Sequence, residues 1–254
     1  MSKENWFNKL FIDEAKPALN RHFGSGGEKT RSIKTYLEAG GTFQSKDVED
    51  YRPLLEYDDT ENVSLKILFY QSKAKYVPSL NAKSSDSVQS MFSGCSNLVE
   101  APFLDTAHVL SVQYFLDGCS LLEEVPAYDF RKIIYTTNCF RNCSNLKEIW
   151  IKNIPNTIQV ASGDTYGHLL TVDSLVHLIQ ELIPPSLRQQ TLTIGEINRE
   201  KLTNVYVRLI EITDAMRAED DLIDQKLLFE VCESTDEGAI PIIDYANSKN
   251  WNIA

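Results

Sequence analysis

One octapeptide recurs at a fixed interval, and that interval limits what the chain can fold into. Met91-Phe92-Ser93-Gly94-Cys95-Ser96-Asn97-Leu98 returns as Phe115-Leu116-Asp117-Gly118-Cys119-Ser120-Leu121-Leu122. It returns again as Cys139-Phe140-Arg141-Asn142-Cys143-Ser144-Asn145-Leu146, so Cys95, Cys119 and Cys143 stand 24 residues apart each time. Ala101, Val125 and Ile149 align further along the unit, as do Pro102 with Pro126, and Asp105 with Asp129 and Asn153. Reading backwards, Val77-Pro78 precedes Ala101-Pro102, and Val88 precedes Val112, by the same 24 residues. A degraded first copy therefore occupies roughly 65–90, and the array spans 65–162.

Within a copy the apolar positions are Val88, Met91, Cys95, Leu98, Ala101 and Leu104, then Val112, Phe115, Cys119, Leu122, Val125 and Tyr128. Steps of three with a single step of four match neither one helix nor one strand. They fit a coil bending about a common interior, a short helical turn followed by a short strand. One coil cannot bury its apolar side alone, whereas stacked copies share a continuous core. The expected fold class is α/β: a short solenoid of 24-residue coils with α-helical flanking regions.

These copies resemble the BspA-type leucine-rich repeat, whose unit runs approximately M-F-x-G-C-S-x-L-x-x-V-P-x-x-D-T-S-N-V. The likeness covers about 90 residues and weakens in the copy from 139, where Trp150 replaces the proline and Asn153 the aspartate. Thr191-Leu192-Thr193-Ile194-Gly195 and Lys201-Leu202-Thr203 resemble the C-terminal flank of such repeats in phage proteins. So does the ending from Tyr245 through Lys249-Asn250-Trp251-Asn252-Ile253-Ala254, with residues 204–240 standing between as an insertion. The resemblance implies a structural or interaction protein of a tailed-phage virion, acting in the tail or baseplate among other virion proteins. A host-surface or glycan-binding adhesin module, or a head-decoration protein, is the alternative.

The remaining segments lack the period. Residues 1–64 read as an N-terminal arm and cap, where Trp6, Phe7, Leu10, Phe11 and Ile12 could pack on the array or dock into a neighbouring subunit. Residues 163–203 and 241–254 read as a capping flank. Its helix from Val172 carries one apolar stripe of Leu175, Leu178, Ile179 and Leu182 before Pro184-Pro185. In 204–240, Val205, Leu209, Ile212 and Met216, then Leu222, Ile223, Leu227, Leu228 and Val231, suggest a hairpin of two amphipathic helices. Residues 211–244 hold eleven acidic and two basic side chains, net −9 of the chain's −11. That acidity is either a solvated surface or a contact patch for a basic partner.

Charge and hydropathy exclude several classes. A net charge of −11 argues against a generic nucleic-acid surface, which needs Lys and Arg to neutralise phosphates. No apolar run approaches the roughly 20 residues that cross a bilayer, and the first residues lack the apolar core of a secretory signal. Virion localisation after synthesis in the host cytoplasm is the corresponding expectation.

Candidate chemistry thins out on inspection, and no enzyme activity or cofactor is expected. Gly24-Ser25-Gly26-Gly27-Glu28-Lys29-Thr30 fails as a phosphate loop, because Glu28 stands where glycine must precede the lysine. The cysteines at 95, 119 and 143 share an interior position and read as reduced structural thiols in a chain with five cysteines. Cys139 and Cys143 lack the second ligand pair that zinc requires. His22, His108, His168 and His177 stand in no recognisable triad order. Glu100, Glu124 and Glu148 form a second column that alternation should turn outward, either solvated with Lys147 or another cation nearby or serving as a binding stripe. Phe103, Tyr114 and Trp150 are the aromatics an open binding face would expose.

Overall fold

The 24-residue period reappears as backbone pairing. In the computed structural model, which describes residues 43–45, 48–51, 64–80, 82, 84–162, 165–185, 188–210, 213–220 and 228–254, alternate amides reach from one segment to the next. Val88, Ser90, Phe92 and Gly94 donate to the carbonyls of Ser111, Gln113, Phe115 and Asp117 over 2.7–3.0 Å. Val112, Tyr114, Leu116 and Gly118 donate in the same way to Tyr135, Thr137, Cys139 and Arg141. The amides between them close short local turns, as when Met91 donates to Val88 and Cys95 to Phe92. Half of the amides thus serve the neighbouring segment, which is why this stretch is not an α-helix.

Left-handed backbone makes that alternation possible. Ile67, Ser90, Tyr114 and Asn138 have φ of 53°, 52°, 55° and 54°, and Gln71, Gly94, Gly118 and Asn142 follow four residues later at 54°, 79°, 80° and 62°. Glycine and asparagine tolerate this region, whereas a β-branched residue such as Ile67 does so at a cost.

The other side of each segment is extended. Strand β1 (Glu124–Val125) pairs in parallel with β2 (Glu148–Ile149), Glu124 opposite Glu148 and Val125 opposite Ile149. Isolated parallel bridges join Leu80 to Leu104, Ser87 to Ser111 and Ser111 to Tyr135. Leu98, Leu122 and Leu146 are buried, as are Cys95, Cys119 and Cys143. Aromatic rings run through the same interior: Phe43 on Phe69 at 5.2 Å, Phe69 on Phe92 at 5.5 Å, and Phe92 against Phe115 at 5.7 Å.

Pairing extends ahead of residue 65, into the segment read from sequence as arm and cap. Ser45 N donates to Tyr70 O, Asp50 bridges Tyr76, and Phe43, Val48 and Tyr51 are buried. The segment after it is one residue short: Ile67, Phe69 and Gln71 donate to Gln89, Met91 and Ser93, an offset of 22 instead of 23. Ser72 consequently takes the cysteine position, its Oγ 3.5 Å from Cys95 Sγ.

Helix α1 (Val172–Gln180) covers the far end. Thr171 Oγ1 accepts from Ser174 N to start it, and Leu175, Leu178 and Ile179 are buried beneath it. Ser174 Oγ accepts from Ile149 N at 2.9 Å, so a helix hydroxyl takes the edge bond that a further segment would otherwise make. Beyond it, β3 (Ile158–Gln159), β4 (Gln190–Thr193) and β8 (Trp251–Ile253) form a parallel sheet in the order β3-β4-β8. Helix α2 (Glu196–Lys201) is tied back by Lys201 Nζ, which donates to the carbonyls of His168 and Leu170 and to Asn198 Oδ1. Burial lowers the pKa of that lysine.

The helical hairpin expected in 204–240 is not what forms. Strands β5 (Tyr206–Leu209), β6 (Phe229–Cys232) and β7 (Ile240–Pro241) make an antiparallel sheet in the order β6-β5-β7, with a short helix α3 (Asp214–Glu219) between β5 and β6. Val205 and Leu209 do recur at a helical step, but Tyr206-Val207 and Phe229-Glu230-Val231-Cys232 are rich in β-branched and aromatic residues. Runs this short can satisfy either period. Helix α4 (Ile242–Ser248) then leads into β8, and Phe229 meets Tyr245 edge-on at 5.6 Å. Mixed helices and strands in small sheets, with no barrel among the described residues, describe the fold.

Candidate functional site

The register of β1 and β2 brings the glutamate column together. Glu124 and Glu148 are directly paired, Glu100 and Glu124 are exposed, and Glu148 is half-buried. Lys147, the residue before Glu148, reaches Glu123 Oε2 at 2.9 Å, one residue off the column. Glu148 Oε2 accepts from the indole Nε1 of Trp150 at 3.1 Å. Trp150 thus holds one end of the column, and exposed carboxylates such as Glu100 and Glu124 contribute little to stability.

The three candidate aromatics separate. Phe103 is 62% exposed. Trp150 is half-buried and meets the His177 ring edge-on at 5.2 Å, while His177 Nε2 lies 3.0 Å from Ile151 O. Tyr114 is half-buried with the guanidinium of Arg141 over its ring at 5.5 Å. Of the three, Phe103 alone is exposed. Trp6, Phe7 and Phe11, His22 and the Gly24–Thr30 loop lie outside the described residues.

All five cysteines are free thiols. Cys95, Cys119 and Cys143 donate to the carbonyls of Phe69, Phe92 and Leu116 in the preceding segments, at 2.9, 3.3 and 3.1 Å. Burial pushes the Cys95 thiol up to about 11 and that of Cys143 to about 12. The same desolvation holds Cys119 and Cys139 well above their ordinary value. Thiols so placed stay protonated at neutral pH and are poor nucleophiles. Among the described residues no group of three His, Cys, Asp or Glu side chains is placed to hold a metal ion, and no helix is long and apolar enough to cross a membrane.

Two features escape sequence reading. Asp117, nearly buried, accepts both arms of Arg141 from the next segment; the two stand 24 residues apart at one repeat position, whose first occupant, Ser93, carries no charge to draw notice to the pairing. Leu110, Ile134 and Tyr135 stand exposed on adjoining segments, linked by the bonds of Ile134 N and Tyr135 N to Leu110 O. Their apolar character alone could not place them outside the core.

No protein-family model matches the chain, and no curated protein sequence or solved structure matches it at a significant level.

Proposed function

We propose that this chain is a non-enzymatic interaction protein, a short BspA-type leucine-rich-repeat solenoid whose surface makes protein–protein contacts in the tail or baseplate of a tailed phage. The observation that carries the solenoid reading is the pairing of Glu124 with Glu148 and of Val125 with Ile149, equivalent residues of successive repeats lying side by side. Such stacking leaves an extended outer face free for contacts while the interior supplies stability. The buried, protonated thiols fit a scaffold role, since the most regular chemistry-bearing column in the repeat is spent on packing. The virion assignment itself rests on the resemblance of the repeat and its flank to those of phage proteins.

Mass spectrometry of purified particles tests the assignment: a structural component is expected there in many copies, and its absence would defeat the reading. Charge reversal tests the stripe. Glu100→Lys, Glu124→Lys and Glu148→Lys together should weaken incorporation, and unchanged incorporation would remove the glutamates from the contact surface. The exposure of Phe103 supports the adhesin alternative, because an aromatic standing free in water suits stacking on a sugar ring. Binding of the isolated protein to a glycan array, lost on Phe103→Ala, would favour it.

A further inference from the structure

The antiparallel sheet inserted after α2 carries a surface that the proposed function leaves unused. On one flank Ile242 N donates to Val205 O at 3.0 Å, and Val207 pairs with Ile240. Narrow and wide pairs alternate in an antiparallel ladder. Val205 and Val207 therefore turn their backbone polar groups toward β7, and Tyr206 and Arg208 turn theirs toward Cys232 and Glu230 of β6. By the same alternation Val231 directs its N–H and C=O away from β5. Strand β6 is the outer strand; on its outer side Phe229 O accepts from Gln180 Nε2 of α1 at 3.3 Å and Glu233 N donates to Asp236 Oδ2 at 3.1 Å, so the edge between them is that of Val231.

That edge is apolar on one face. Leu209 is 60% and Val231 57% exposed, yet they share a face with Val207 and Phe229, which are buried. The apolar surface of this sheet thus runs out of the core into water. The exposed charges that directly follow β6 are acidic, Glu233 and Glu237, and the described residues 213–220 and 228–244 hold eight acidic side chains and one basic. Arg208 is already engaged by Glu230. A second copy of the chain would bring the same negative charge, and nucleic acid would be repelled for the same reason.

We propose that the outer edge of β6, with Leu209 and Val231, docks a basic extended segment of another protein. The segment's backbone pairs with the outward groups of Val231, its aliphatic side chains cover Leu209 and Val231, and its lysines or arginines meet the carboxylates.

A fluorescein-labelled peptide of alternating lysine and valine, titrated against the full chain, provides the test. Anisotropy should report binding that weakens with salt, and hydrogen exchange should show new protection within 229–232 at the outward-facing amide of Val231. Leu209→Ser with Val231→Thr removes the apolar contact at unchanged charge and should weaken binding about tenfold. Ile134→Ser, at an exposed apolar residue of the repeat that carries no charge, should leave the 229–232 protection in place. Circular dichroism of each variant confirms that it folds. Absence of protection at 229–232 under saturating peptide, equal binding by the Leu209/Val231 variant, or self-association of the chain through this edge would each overturn the proposal.

Discussion

Arg141 closes both arms of its guanidinium on the carboxylate of Asp117 in the preceding segment, Nε to Oδ1 at 2.9 Å and Nη2 to Oδ2 at 2.6 Å. Asp117 is only 7% exposed, so removing Arg141 leaves a nearly buried carboxylate with one long bond from Asn142 Nδ2 at 3.4 Å. Arg141→Ala should therefore cost about 2 kcal/mol, the scale of a lost hydrogen bond to a charged group. Lys147→Ala breaks a pair with Glu123 whose side chains are 47% and 61% exposed. It should cost less than about 0.5 kcal/mol. Urea unfolding of the two variants compares them directly, and equal midpoints would contradict the difference.

Left-handed backbone yields a second comparison. Ile67 adopts φ 53° with its side chain 45% exposed, so Ile67→Asn should relieve strain and raise stability by about 1 kcal/mol. Gly118→Ala meets nothing closer than Gly94 at 3.6 Å and should lose about 1 kcal/mol for its φ alone. At Gly167 a Cβ would lie 2.4 Å from Val160 O, so Gly167→Ala should be clearly worse than Gly118→Ala. Thermal melts ordering the three as Ile67→Asn, Gly118→Ala, Gly167→Ala from most to least stable would agree with this geometry; a different order would not.

The buried thiols set a pH dependence. Their folded pKa is raised, to about 11 at Cys95 and about 12 at Cys143, against an ordinary value near 9.0. The unfolded chain therefore loses these protons first as pH rises. Stability is full below about pH 9 and declines toward pH 11–12, with a limiting slope of about 1.4 kcal/mol per pH unit for each such thiol. Denaturant unfolding across that range should show the fall, and a cysteine-to-alanine variant at Cys143 should show a shallower one. With a chromogenic disulfide reagent at pH 8, Cys232 alone should react promptly, because the other four thiols are buried. Rapid labelling of all five in the native chain would contradict their placement.

Much of this arrangement is legible in the repeat. A step of 24 residues in Cys95, Cys119 and Cys143 is enough to predict which side chains share an interior column, because equivalent positions in stacked copies must face the same way. The helix over Val172–Gln180 follows from its single apolar stripe. Harder to read are the segments that depart from the period. Phe43 and Tyr51 join the same stack, Phe43 against Phe69 and Tyr51 beside the Asp50–Tyr76 bridge, but residues 43–51 carry no glycine or cysteine to mark the octapeptide. Ser72 hides the first cysteine position by losing both the residue type and one residue of spacing. In β5 and β6 four-residue runs carry too few turns of either period to separate strand from helix. The 24-residue step does set Asp117 beside Arg141 at equivalent positions of successive copies, but the irregular residue types there, Ser93, Asp117 and Arg141, hide the ion pair from a search for repeated residues.

Cross-linking across β1 and β2 tests the stacked register most directly. Partners in a parallel pair lie about 4.8 Å apart, within the range a disulfide spans. Glu124→Cys with Glu148→Cys should oxidise to an intramolecular disulfide, recovered from a digest as one peptide joining positions 124 and 148. Both new thiols remaining free under mild oxidation, or forming only links between chains, would contradict the stacking on which the proposed solenoid depends.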